Sequence, residues 1–201
     1  RSGCDWSSDV CSSDLLVNVG GVTPMLDANR MVDFLTRLKN LPWANGDDHE
    51  ARVGEILDEY GIHYVYQPNG TQNFPDYEIP TRWGTINLEC KSNQNAKPMY
   101  NSGRPHADGL YVFTSKKYNE TTLFWGDDVL TLDKRELYDR MLLEMKDVLV
   151  RYQALPEWQD DRGFDFYLRE MYIQSGTSEY TDYFTHKDRT TCEQNVFNFF
   201  K

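Results

Sequence analysis

The feature that most constrains the fold is a pair of short segments, Phe74-Pro75-Asp76-Tyr77-Glu78-Ile79 and Thr85-Ile86-Asn87-Leu88-Glu89-Cys90-Lys91-Ser92. The second alternates. Ile86, Leu88 and Cys90 fall on one side and Asn87, Glu89 and Lys91 on the other, the two-residue period of a half-buried strand. Between the segments, Pro80 and Gly84 stand at turn spacing, which predicts an antiparallel hairpin. If Ile79 pairs with Ile86, Asp76 comes opposite Glu89, and Lys91 shares the face of Glu89. Two adjacent carboxylates repel each other unless a cation sits between them, and an oxygen-lined site of that kind suits Mg²⁺. The alternative is a surface hairpin whose Glu89 and Lys91 form a solvated face.

The chain around the hairpin reads as alternating helix and strand. A helix is predicted over 25–38, with Thr23 as N-cap, Pro24 at the first helical position, and Ala28, Met31, Val32, Leu35 and Leu38 on one stripe. A second is predicted over 49–60, opened by Asn45-Gly46-Asp47-Asp48 and closed by Gly61, with Val53, Ile56, Leu57 and Tyr60 as its apolar face. At about 100° per residue, Glu50 lies roughly 70° from the centre of that face and Glu55 roughly 150° away. Glu50 is therefore the acid at the edge of the buried stripe, although Asp47 three residues earlier also gives it capping-box spacing. Residues 62–66 read as a short strand and 67–73 as a polar loop. The near-continuous apolar run over 108–114 predicts a central strand, and 121–125 another. Asp108, Asp127 and Asp128 read as turn residues. A long helix over 132–152, apolar through Leu137, Met141, Met145, Val148, Leu149 and Tyr152, is expected to cross the sheet or serve an interface. Within the aromatic C-terminal region, 164–168 suits either a strand or the start of a helix.

Pro75-Asp76 followed by Glu89-x-Lys91 resembles the signature of the PD-(D/E)xK nuclease superfamily, which includes many type II restriction endonucleases. The resemblance implies an α/β (α+β) restriction-endonuclease-like core, a central mixed sheet flanked by helices. It implies Mg²⁺ held by Asp76, Glu89 and the backbone carbonyl of Cys90, with Lys91 positioning or deprotonating the attacking water. Glu50, on the helix before the hairpin, would tune the metal shell. The reaction implied is hydrolysis of a phosphodiester in double-stranded DNA, leaving a 5′-phosphate, by a homodimer if the target is palindromic. The amide-rich segment 92–106 would then lie near the DNA, with Asn93, Gln94, Lys97, Tyr100, Asn101, Arg104 and His106 as candidate contacts. Asn and Gln pair with adenine edges, Arg with guanine or phosphate, and Tyr packs on a sugar or base. Arg162, Arg169, His186, Lys187 and Arg189 are further cations available to DNA or to a second subunit. Two other readings stay open. One is a phage or bacterial repair or junction nuclease of the same superfamily; the other is a non-catalytic DNA-binding or interaction protein that uses the hairpin as scaffold.

Composition enters through the charge. The chain has 201 residues and a formal charge of −11, which speaks against a protein that coats nucleic acid through general basicity. Residues 5–15 resemble a translated sequencing adapter, so 1–15 are read as a non-native segment and 16–201 as one domain. Without Arg1, Asp5, Asp9 and Asp14, 20 basic and 29 acidic residues leave a charge of −9. Of the four cysteines, Cys90 and Cys192 then remain, too few for a disulfide framework and without zinc-ligand spacing. No apolar run approaches the roughly 18 residues of a membrane span. These features predict a cytoplasmic bacterial or phage protein with no membrane segment.

Overall fold

The computed structural model describes residues 26–100, 104–159, 173–174 and 182–201. Helix α1 (Ala28–Lys39) is started by Asp27, whose carboxylate takes the Arg30 N–H at 2.8 Å. The helix therefore begins three residues later than the sequence pattern predicts, because the cap is Asp27; the proposed Thr23 cap lies outside the described residues. Its buried stripe is Met31, Phe34, Leu35 and Leu38. Helix α2 (Gly46–Glu59) is capped by Asn45, which takes the Asp48 N–H at 3.1 Å. Gly61, at φ +62°, supplies the left-handed turn that ends it.

Five strands form one mixed sheet in the order β1-β2-β3-β5-β6: β1 (Val65–Tyr66), β2 (Tyr77–Thr81), β3 (Gly84–Asn93), β5 (Gly109–Ser115) and β6 (Glu120–Trp125). The hairpin forms in the expected register. Ile79 pairs with Ile86 and Tyr77 with Leu88, so Asp76 enters the sheet facing Glu89. Gly84, at φ +115°, closes the turn after Arg82 and Trp83, and the Thr81 hydroxyl donates to its carbonyl at 2.7 Å. β3 is the middle strand and runs parallel to β5, which in turn pairs antiparallel with β6. All seven residues of β5 are buried, as its apolar run requires. The predicted strand over 62–66 is shorter than expected, since only Val65 and Tyr66 pair, at an exposed sheet edge. Ile62 instead turns back into the core, its N–H on the Leu57 carbonyl.

The strand period separates two cores. One face of the sheet, carrying Ile86, Leu88, Leu110, Val112 and Leu123, packs against α1, α2 and the C-terminal helix α5 (Arg189–Phe199) through Phe34, Leu57, Val196 and Phe200. The other carries Tyr111, Phe113 and Phe124, which pack with Ala96, Tyr100 and Phe184. Helix α5 was not legible in the sequence because its apolar residues serve both cores instead of one stripe. A buried ion-pair group holds it, with Glu193 taking Lys39 at 2.5 Å, Arg189 at 3.0 Å and the Thr122 hydroxyl at 2.8 Å. Asp127 and Asp128 lie in the short α3 (Gly126–Val129), where Asp128 takes the Trp125 N–H and Asp127 pairs with Arg135.

The long helix α4 (Leu132–Gln153) has the predicted extent, and of the two roles expected for it, crossing the sheet or serving an interface, packing across the sheet is not the one it takes. Leu142 is its buried residue, while Leu137, Met141, Val148 and Tyr152 are exposed. Its N-terminal part is tied down instead through Arg135, which donates to the Pro105 carbonyl at 2.6 Å. Segments 1–15 and 164–168, with Arg162 and Arg169, fall outside the described residues. Among the described residues no helix is long and apolar enough to cross a membrane.

Candidate active site

The sheet brings the four sequence-chosen residues together at the start of β2. Asp76 is anchored by the Cys90 N–H, which donates to its Oδ2 at 2.7 Å. Burial, the charge of Glu89 and the charge of Glu50 push its carboxyl up to about 7, against opposing contributions from the Cys90 N–H and Lys91. Glu89 is buried, and its Oε1 receives Lys91 Nζ at 2.5 Å. Its Oε2 is buried with no hydrogen-bond partner. A carboxylate oxygen in that position is costly unless something positive or proton-bearing reaches it.

Glu50 stands on the other side of Asp76, at the first turns of α2. The cap belongs to Asn45 and not to Asp47, so the capping-box role is not the one Glu50 fills. Its carboxylate instead receives Gln67 Nε2 at 3.3 Å, and its backbone carbonyl receives the Tyr77 hydroxyl at 2.9 Å. Gln67 was not legible as a site residue, because nothing in the polar loop marks it. It adopts φ +46°, gives its N–H to the Asp76 carbonyl at 2.8 Å and its Nε2 to the Tyr66 hydroxyl at 3.0 Å. One residue thus links Glu50 on α2 to Asp76 at the head of β2. The hydrogen bond to Glu50, with some burial, pushes Tyr66 up to about 12.

Cys90 lies between Glu89 and Lys91 with its thiol against the first core. Burial and the surrounding carboxylates push that thiol well up, so it stays protonated and inert. Among the described residues, no three His, Cys, Asp or Glu side chains already form an arrangement that could hold a metal ion. The donor chemistry nonetheless fits a hard divalent cation. Asp76 and Glu89 are facing carboxylates, Asp76 held at a raised pKa by burial and by Glu89, and Glu89 has an orphaned oxygen.

The amide-rich segment is more structured than a connecting loop. β3 runs on to Asn93, and Met99–Tyr100 forms β4, paired with β7 (Ile173–Gln174). Asn93 turns back on its own segment, its Oδ1 taking the Asn95 N–H, while the Gln94 carbonyl takes the Lys117 N–H. Tyr100 departs from its expected role as a DNA platform: it is 4% exposed, its ring edge on Tyr111, because the second core needs it. Arg104 is half-buried, paired with Asp139 and set over the Tyr138 ring. Lys97 is half-buried, and Asn101 lies outside the described residues. His186 and Lys187 face Asp188, and Arg189 belongs to the α5 ion-pair group, which gives these three structural partners.

His106 is the member of the set that is both exposed and close to the acids. Its ring stacks on Phe74 at 3.8 Å between centroids and 7° between planes. Its N–H donates to the Tyr111 hydroxyl at 2.8 Å, and its carbonyl takes the Gly109 N–H at 3.1 Å and lies directly over Gly126. Burial lowers its pKa, partly offset by the charges of Glu89 and Asp108 and reinforced by Arg135 and Arg104. Asp108 accepts from the Asn87 amide at 2.9 Å, which fixes the start of β5 against β3. Compared with known proteins, the chain matches no family model, no curated protein and no solved structure.

Proposed function

We propose that the chain is a Mg²⁺-dependent endodeoxyribonuclease built on a restriction-endonuclease-like core. The observation that carries this reading is geometric: Asp76, anchored by the Cys90 N–H, faces a buried Glu89 that has one oxygen on Lys91 and the other unpartnered. Three carboxylates that converge from a helix and two strands, with a lysine beside them, suit cation-assisted phosphodiester hydrolysis better than a scaffold role. Asp76 and Glu89, with the Cys90 carbonyl, would hold the cation, and Glu50 would set its surroundings through Gln67. A Mg²⁺ ion held by these residues would supply polarisation of the scissile phosphate and a more nucleophilic water.

Lys91 now neutralises Glu89. With Glu89 engaged elsewhere, its ammonium is free to orient the attacking water and offset charge on the phosphate. Water oxygen bonds to phosphorus, the bond to the 3′-oxygen breaks, and the products are a 5′-phosphate and a 3′-hydroxyl. Lys91 is the cation that the site itself offers to the phosphate, and a bound divalent cation would add to it. Palindromic cutting would require a second copy of the chain.

The test compares wild type with Asp76→Ala and Lys91→Ala on plasmid DNA and on oligonucleotides carrying a one-base bulge or a single-stranded flap, with and without Mg²⁺. Cation-dependent cleavage by wild type, absent from both variants, is the expected result. Indistinguishable behaviour of the three proteins would remove the nuclease reading.

A further inference from the structure

The substrate class is open to a narrower reading, resting on the nuclease proposal, because of what flanks the acids. On the Glu89 side stands the stack of Gly109, Phe74 and His106. A Cβ at Gly109 would lie 3.0 Å from the Phe74 ring, so the absence of a side chain there lets Phe74 settle onto the start of β5. His106 covers the outer face of Phe74 at a 7° interplanar angle. On the Glu50 side stands Tyr66, 51% exposed, its ring tilted on Tyr77. The carboxylates therefore lie between two exposed rings.

The His106 platform is rigid. Its N–H is held by Tyr111, its carbonyl by Gly109 and by close seating on Gly126, and the preceding Pro105 carbonyl by Arg135. Neither ring nitrogen has a hydrogen-bond partner among the described residues, and Phe74 is the ring it packs on. A rigid exposed ring binds at a low ordering cost. Base pairs in an intact duplex present edges to a protein, with their faces covered by their neighbours. A flat ring lying open beside a hydrolytic site matches a base that has left the stack.

We propose that this site takes DNA at an unpaired nucleotide, a bulge, flap or single strand, with one base stacked on the open face of His106. The phosphate next to that base is the one delivered to Asp76 and Glu89. Phe74 is a positioning residue here, acting through His106.

The test uses the Asp76→Asn protein without divalent cation, so that binding is read apart from cleavage, and oligonucleotides carrying 2-aminopurine in a single strand, in a one-base bulge or in an uninterrupted duplex. Stacking quenches that fluorophore. The expected result is quenching with the strand and the bulge but not the duplex. His106→Ala should weaken binding of the bulge by about 5- to 150-fold, the range for one base on one ring. His106→Tyr should restore it, and Phe74→Leu should weaken it with the fold intact by circular dichroism. Equal binding of duplex and bulge, or no effect of His106→Ala, overturns the proposal. Because binding is read without chemistry, that failure is separate from a failure of wild type to cut any DNA.

Discussion

Replacing Asp76 with Asn isolates the electrostatic cost stored at the site. The side chain keeps its shape and an oxygen for the Cys90 N–H, while the charge that faces Glu89 and Glu50 disappears. In wild type the Asp76 carboxyl moves from its ordinary 3.8 to about 7. Below pH 4 both folded and unfolded chains carry the proton, so the two states are affected alike. Between pH 4 and 7 only the folded chain keeps it, so stability falls as pH rises, and above 7 the full penalty stands. That penalty has a ceiling of about 4 kcal/mol. For a chain of this size about 2–4 °C accompanies each kcal/mol, so Asp76→Asn should raise Tm at pH 8 by on the order of 10 °C. At pH 4.5, where the unfolded carboxyl is already mostly ionised, about 1 kcal/mol of the penalty remains, so the gap should shrink to about 2–4 °C. The assay is thermal unfolding in a chelating buffer across pH 4.5–8. A gain of the same size at both ends, or a loss at pH 8, would refute the argument that burial and the neighbouring carboxylates together hold Asp76 above its ordinary pKa.

Three further outcomes follow from contacts elsewhere. Gln67→Ala should loosen Glu50 from Asp76 and weaken Mg²⁺ binding by about tenfold, as loss of an outer partner typically does; titration calorimetry reads this, with Gln67→Glu as a variant that cannot donate. Gly126→Ala places a methyl on the His106 carbonyl, and urea unfolding should show a loss of at least about 1–3 kcal/mol. His49 is buried, its Nε2–H on the Val112 carbonyl at 3.0 Å, with its pKa lowered from 6.5 by burial. Below that pH the unfolded chain gains a proton that the folded one refuses, so stability falls; His49→Gln should flatten this branch of the urea midpoint between pH 7 and 5.

The hairpin was legible because strand alternation is a local rule. Ile86, Leu88 and Cys90 had to share a face, and pairing Ile79 with Ile86 then fixed where Asp76 met Glu89. Glu50 was legible from helix geometry, although its reason for being there changed when Asn45 took the cap. Gln67 could not be found the same way, since its role depends on a left-handed backbone angle and on three partners from different segments. Tyr100 shows the opposite error. An aromatic in a polar stretch suggests a surface platform, yet the second core lies directly beneath it and takes it in. For α4, periodicity gave the helix but could not say which stripe would be covered.

β3 holds Leu88 in one core and sets Glu89 and Lys91 on the face shared with Tyr111 and Phe113, with a strand on either side. The amides of a middle strand open only when the whole domain opens. Any adjustment of the site during a binding cycle, or in the divergence of one sequence into another, is thus confined to its flanks, the head of α2 with Gln67 and the turn that carries His106. The strand behaves as a fixed rail, and specificity can drift around it without the rail having to bend.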